Sequence, residues 1–264
     1  MLPTTKIGDL EVTRLIIGGN PFSGHSHMSA ERTKEMVDYH TVDRIKQTLR
    51  EAEQAGINAC VGRADNHVMR LLNEYWNEGG GISWIAQTAP ERASVPANVD
   101  QAAAIGAKAC FLHGGMIDNM YRAGRLAEAR EWIQHIKDKG IPAGLASHDP
   151  EILRAAEEME LGAEFYMTCF YNVYLHGEVY RDEDRDGMTD LVRQLDKVCL
   201  AYKILAAGRR DPEEAFEYAY GSIKPADAVV VGIYTKHQPT QIADDVALAL
   251  RFMSAEAPAR TGGQ

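Results

Sequence analysis

Apolar residues gather along the chain in short β-rich runs, and the stretches between them carry helical spacing. TRLIIGG (13–19), INACVG (57–62), ISWIAQ (82–87) and KACFLH (108–113) are the first four runs; IPAGLAS (141–147), AEFYMTCF (163–170), VCLAYKILA (198–206) and DAVVVGI (227–233) are the next four. Between them TVDRIKQTLREAEQAG, LAEAREWIQHIKDKG and QPTQIADDVALALRFM place apolar residues every three or four positions. The first two close on a glycine, which suits a helix C-terminus. Eight strand–helix units in 264 residues predict a (β/α)8 TIM barrel, with a doubly wound sheet as the alternative. TTKIGDLEVTRL precedes the first unit and alternates about a Gly-Asp turn. It predicts a β-hairpin that caps the barrel bottom. No linker divides the chain, so residues 1–254 form one domain, and the small, polar residues 255–264 read as a flexible tail.

Composition narrows the functional classes. The chain is 45% hydrophobic and 25% charged, enough to bury a sizeable core. No run approaches the roughly 18 apolar residues of a membrane span, and the first residues hold no apolar signal region, so the reading is a cytoplasmic protein without a membrane partner. A net charge of -10 without a basic stripe argues against nucleic acid. Cys60, Cys110, Cys169 and Cys199 lack CxxC spacing and read as reduced core thiols. A small-molecule substrate is the partner these features leave; oligomeric state stays open.

In such barrels chemistry sits at the C-terminal ends of the strands. Polar residues crowd those ends: Asn20, His25 and His27 after the first, Arg63, Asp65 and His67 after the second, Gln87 at the third, His113 at the fourth and His148 at the fifth. Tyr171 and Asn172 follow the sixth, Lys203 lies within the seventh run, and Tyr234 and Lys236 follow the eighth. Loop polarity alone accounts for a single residue such as His25 or His67. His113 and His148 directly follow apolar residues, and an imidazole at the rim can act as general base, bind a metal or donate to a substrate oxygen. Lys203 in AYKILAAG sits among residues that favour burial. Either it turns inward, to pair with a carboxylate, bind an anion or act as a Schiff-base nucleophile, or it snorkels outward to water. His25, His27, His113 and His148 together could supply nitrogen ligands for zinc or manganese. DEDRDGMTD (182–190) opens like a calcium loop but has Arg193 where the twelfth-position Glu belongs, and reads instead as an acidic helix start.

The hairpin with EVTRLIIGGNPF, AEQAGIN, CFLHGG and the closing VVVGIYTKHQPTQIADDVALAL together resemble the aldo-keto reductases. The resemblance implies a TIM barrel, a catalytic-site histidine at His113 and, in the closing segment, a grip on the adenosine phosphate of NADPH. Two features depart from it. The chain reads CVGRADNHVM where the family carries Asp and a proton-donating Tyr, with no tyrosine from there until Tyr75, and Gln87 stands where the family places a lysine. No GxGxxG fingerprint is present. The reading is therefore a divergent barrel enzyme using acid/base or divalent-metal chemistry, as lyase, isomerase or hydrolase, on a small polyhydroxylated or carbonyl substrate. His113, His148 and Lys203 would be catalytic, and Asn20, Arg63, Asp65, Gln87, Tyr171, Asn172 and Tyr234 would contact substrate. An NAD(P)H-dependent oxidoreductase is the alternative, and a non-catalytic ligand-binding barrel the second.

Overall fold

The computed structural model describes residues 1–254; the tail at 255–264 lies outside them. Strands β1 (Thr4–Ile7) and β2 (Leu10–Thr13) form an antiparallel hairpin. Eight parallel strands follow: β3 (Leu15–Gly18), β4 (Ala59–Arg63), β5 (Ser83–Gln87), β6 (Ala109–Leu112), β7 (Ala143–Ser147), β8 (Phe165–Cys169), β9 (Val198–Tyr202) and β10 (Ala228–Gly232). Each pairs with the next, and β10 pairs back onto β3 to close the barrel. All eight expected strands are present in a (β/α)8 barrel. The seventh stops four residues short of the expected run, because Lys203, Ala206 and Ala207 take left-handed φ values of 61°, 48° and 56°, which no pleated strand accommodates.

Parallel strands covered on both faces should be apolar throughout, and five of the eight are buried at every position or all but one. Side chains alternate between two cores. Ile16, Ala59, Ile85, Ala109, Phe111, Ala146, Phe165, Met167, Leu200, Ala228 and Val230 fill the barrel, while Cys60, Trp84, Cys110, Leu112, Leu145, Tyr166 and Cys199 face the helices. All four cysteines are free and buried. Eight helices form the outer ring, beginning with Val42–Gln54 and Asn66–Asn77 and ending with Gln241–Ser254. Several start on side-chain caps: Thr41, Asp65, Ser94, Asp149 and Asp211 each accept a bond from a backbone N–H two or three residues on. DEDRDGMTD lies within helix Asp182–Gln194, with Asp182, Glu183 and Asp184 in its first turn, so it forms no calcium loop.

The hairpin closes the N-terminal end of the barrel. Ile7 and Val12 are fully buried and join the interior core beside Ile16, while Thr5 Oγ1 donates to Ala226 O at 2.6 Å and Thr13 N to Asn58 Oδ1 at 2.7 Å. At its turn Gly8 has φ of 57°, and a Cβ there would lie 2.8 Å from Pro142 Cγ, so only glycine fits. No helix among the described residues is long and apolar enough to cross a membrane.

Candidate active site

Strand alternation carries past the interior core into a ring at the C-terminal end. Arg63 pairs in register with Gln87, Gln87 with the inward-facing Phe111, and Cys169 with Tyr202. Two steps beyond Phe111 and Ala146 the same face brings His113 and His148 to the mouth. The ring answers why a buried strand stops on a histidine: His113 caps the helix Gly114–Arg122, and that helix builds the site. Its Asp118, 1% exposed, accepts from His148 Nδ1 at 2.7 Å, from Ser147 Oγ at 2.6 Å and from the His148 backbone N–H at 3.4 Å. Sequence reasoning missed Asp118. A single acid among apolar helix neighbours was its only signal.

The two histidines present opposite faces of imidazole chemistry. With Nδ1–H donated to Asp118, His148 turns a bare Nε2 toward the mouth, as a general base requires. His113 Nδ1 instead accepts from the Met116 N–H at 3.4 Å, which leaves the ring proton on Nε2. Burial, followed by the charges of His148 and Arg63, pushes the His113 pKa down to about 4, so it stays a neutral donor. The two glycines of HGG make this packing fit: a Cβ on Gly114 would lie 3.2 Å from His148 Cε1, and one on Gly115 3.2 Å from His113 Cε1. Tyr174 stacks 6.1 Å from the His148 ring and Tyr202 meets it edge-on at 6.1 Å.

Across the mouth, loops from β3 and β8 meet. His27, at φ of 55°, donates from Nδ1 to Glu178 Oε1 at 2.8 Å and accepts at Nε2 from Asn20 Nδ2 at 3.3 Å. Beneath this strap Lys203 Nζ is buried without a hydrogen-bond partner. Its charge acts on His25, His27, Cys169 and Glu178, which places it at the mouth; burial lowers its pKa. Lys203 thus reaches the site from one residue past β9, swung there by its left-handed backbone and not by the alternation of a strand, since alternation turns Tyr202 inward. Burial, then Arg63, depresses the pKa of His25; burial, then Lys203, depresses that of His27. Arg63 holds Glu91 at 2.5 Å and Asp65 at 3.4 Å.

Several expected contacts do not reach the site. Asp65 is the cap of helix Asn66–Asn77, accepting from Val68 N at 2.9 Å, and His67 is exposed on its first turn. Asn172 caps the helix Val173–His176 and donates to Asp149 Oδ2 at 3.0 Å. Tyr171 is fully buried in the outer core against Tyr180, because β8 ends at Cys169 and strand alternation no longer holds beyond it. Tyr234 packs beneath helix Ala30–Tyr39 against Tyr39 and His40, with ring centroids 5.5 and 5.6 Å away. Asn20, His25, His27, Arg63, Gln87, His113, His148 and Lys203 are the expected residues that stand at the rim.

No protein-family model matches the chain, and no curated protein matches it. Solved structures do. A protein described as an aldo-keto reductase from Pseudomonas aeruginosa superposes with a TM-score of 0.66 at 17% identity, covering 95% of this chain and 96% of that one. A glycerol dehydrogenase from Gluconobacter oxydans gives 0.61 at 12% identity over 99% and 98% of the two chains. An N-acetylmannosamine-6-phosphate 2-epimerase from Clostridium perfringens gives 0.55 at 15% identity over 88% and 91%. The likeness is one of fold.

Both His27 nitrogens are already bonded, and among the described residues no three His, Cys, Asp or Glu side chains converge to hold a metal. The four histidines expected to hold zinc or manganese, His25, His27, His113 and His148, line the mouth as separate groups. In the segment that resembles a grip on the cofactor's adenosine phosphate, Lys236 and His237 both bind Glu35, at 2.9 and 2.7 Å. Tyr75 is fully buried in the outer core and bonded to Glu53, away from the mouth.

Proposed function

We propose that the protein is an enzyme that moves a proton at the carbon next to a carbonyl group, as an isomerase or lyase acting on a small hydroxy-aldehyde or hydroxy-ketone. The His148–Asp118 pair carries this reading: a buried carboxylate fixes one ring nitrogen and leaves the other free as base. On taking the proton His148 becomes an imidazolium whose charge Asp118 offsets. His113, kept neutral, donates from Nε2 to the carbonyl oxygen as charge develops there, in the manner of an oxyanion donor. Arg63, Gln87 and Asn20 supply polar contacts for hydroxyl groups. Lys203 brings an unbonded amine to the far side of the mouth. Hydride transfer has weaker support, because Gln87 and a buried Tyr75 replace the proton-donating pair that the resemblance implies.

The test is hydrogen exchange. Small hydroxy-aldehydes and hydroxy-ketones in D2O are followed by proton NMR with the wild type and with His148→Asn. Loss of the signal next to the carbonyl with wild type alone supports the reading. No exchange on any compound, or equal exchange with the variant, overturns it.

A further inference from the structure

We infer that Lys203 is a covalent nucleophile, which holds an aldehyde or ketone substrate as a Schiff base between β9 and the His27–Glu178 strap. The inference rests on the proton-transfer reading above and deepens it by naming the electron sink.

Three observations meet at this side chain. Its Nζ is buried and has no hydrogen-bond partner. The carboxylate whose charge it feels, Glu178, has both oxygens engaged, Oε1 by His27 Nδ1 and Oε2 by the Tyr180 hydroxyl. A structural lysine in such a place would bond the carboxylate directly; here both carboxylate oxygens bond other donors and Nζ bonds neither. Arg209 adds a like charge, anchored to the same strap through His27 O at 2.9 Å. A desolvated amine with no hydrogen-bonded partner, within reach of another cation's charge, is driven toward the neutral form that attacks carbonyl carbon.

The backbone is consistent with a site built for a purpose. Five non-glycine residues among those described have left-handed φ, and four of them are His27, Lys203, Ala206 and Ala207. Strain of this kind persists where surrounding structure enforces it, and it clusters at functional sites. Here it swings Lys203 back over the mouth from a position that strand alternation would turn outward.

The chemistry balances without an external reagent. Nζ forms a bond to the carbonyl carbon, the C–O π electrons pass to oxygen, and the oxygen leaves as water carrying two of the protons of the ammonium form. The iminium that remains draws the electrons of the adjacent C–H bond toward nitrogen, and His148 Nε2 takes the proton. Two steps around the barrel separate β7 from β9. Adjacent strands lie about 4.8 Å apart, so His148 and Lys203 arise roughly 10 Å apart at their backbones. A chain of a few carbons spans what their side chains leave open.

The test is reductive trapping at neutral pH. The protein is treated with cyanoborohydride and either formaldehyde, small enough to pass the strap, or dihydroxyacetone, and modified lysines are located by peptide mass spectrometry. Lys203 is expected to be modified severalfold faster than the exposed Lys34. Lys203→Arg, checked for native unfolding, should lose that adduct alone. Modification of Lys203 no faster than Lys34 with both reagents overturns the inference. If exchange in D2O persists in wild type while Lys203 stays unmodified, the covalent role falls and the acid–base reading survives. Rapid modification without any exchange supports the nucleophile and removes the acid–base reading.

Discussion

At the lower end of the barrel Ile7, Val12 and Ile16 pack without exposure, and the hairpin spends its polar groups on Ala226 and Asn58. At the upper end the same strands finish on Arg63, Gln87, His113, His148 and Tyr202, and a buried amine has no partner. The floor satisfies every demand of folding: apolar area leaves water and hydrogen bonds are paired. The mouth violates those demands in particular places, with a buried amine that bonds nothing and left-handed non-glycine backbone. Stability is stored at one end and available for chemistry at the other.

Substitutions at the two ends should therefore separate activity from stability. The largest effect belongs to His148→Asn, which should slow exchange by about 10²–10⁴-fold with little change in the urea midpoint; Asp118→Asn follows in the same direction. An unchanged exchange rate would remove the distinction between the ends. Ile7→Ala should cost about 2–4 kcal/mol in urea unfolding while exchange per folded molecule stays the same. Next comes Gly114→Ala, whose new Cβ presses on His148 Cε1; it should lower exchange roughly tenfold and move stability less than Ile7→Ala does.

His40 supplies a pH test outside both ends. Its two nitrogens are buried without partners among Phe22, Tyr39 and Tyr234, and burial brings its pKa from 6.5 to about 4. Below pH 6.5 the unfolded chain takes up a proton that the folded one refuses, so stability is full above that pH and falls as pH drops toward 4. His40→Phe should recover about 1 kcal/mol at pH 5 relative to pH 7, leaving the part due to His113. The smallest effect is expected for His27→Ala, which breaks a partly exposed pair with Glu178 and should cost under about 1 kcal/mol of stability.

Much of the frame was legible because periodicity reports burial directly. Eight apolar runs and a Gly-Asp turn sufficed for the barrel and its plug, and CFLHGG marked the strand whose end carries His113. Polar residues at strand ends were a weaker guide. Asp65 and Asn172 serve as helix caps and Tyr171 as outer core, all roles a loop position equally implies. Apolar spacing and turn chemistry are local properties, so the sequence by itself determined the strands, the helices and the closed cylinder they compose. Which imidazole nitrogen is free, that Asp118 stands behind His148, and that Lys203 curls back without a hydrogen-bond partner were decided only by tertiary structure. These depend on contacts between residues 30 or more apart in the chain, and on a backbone twist that no propensity encodes.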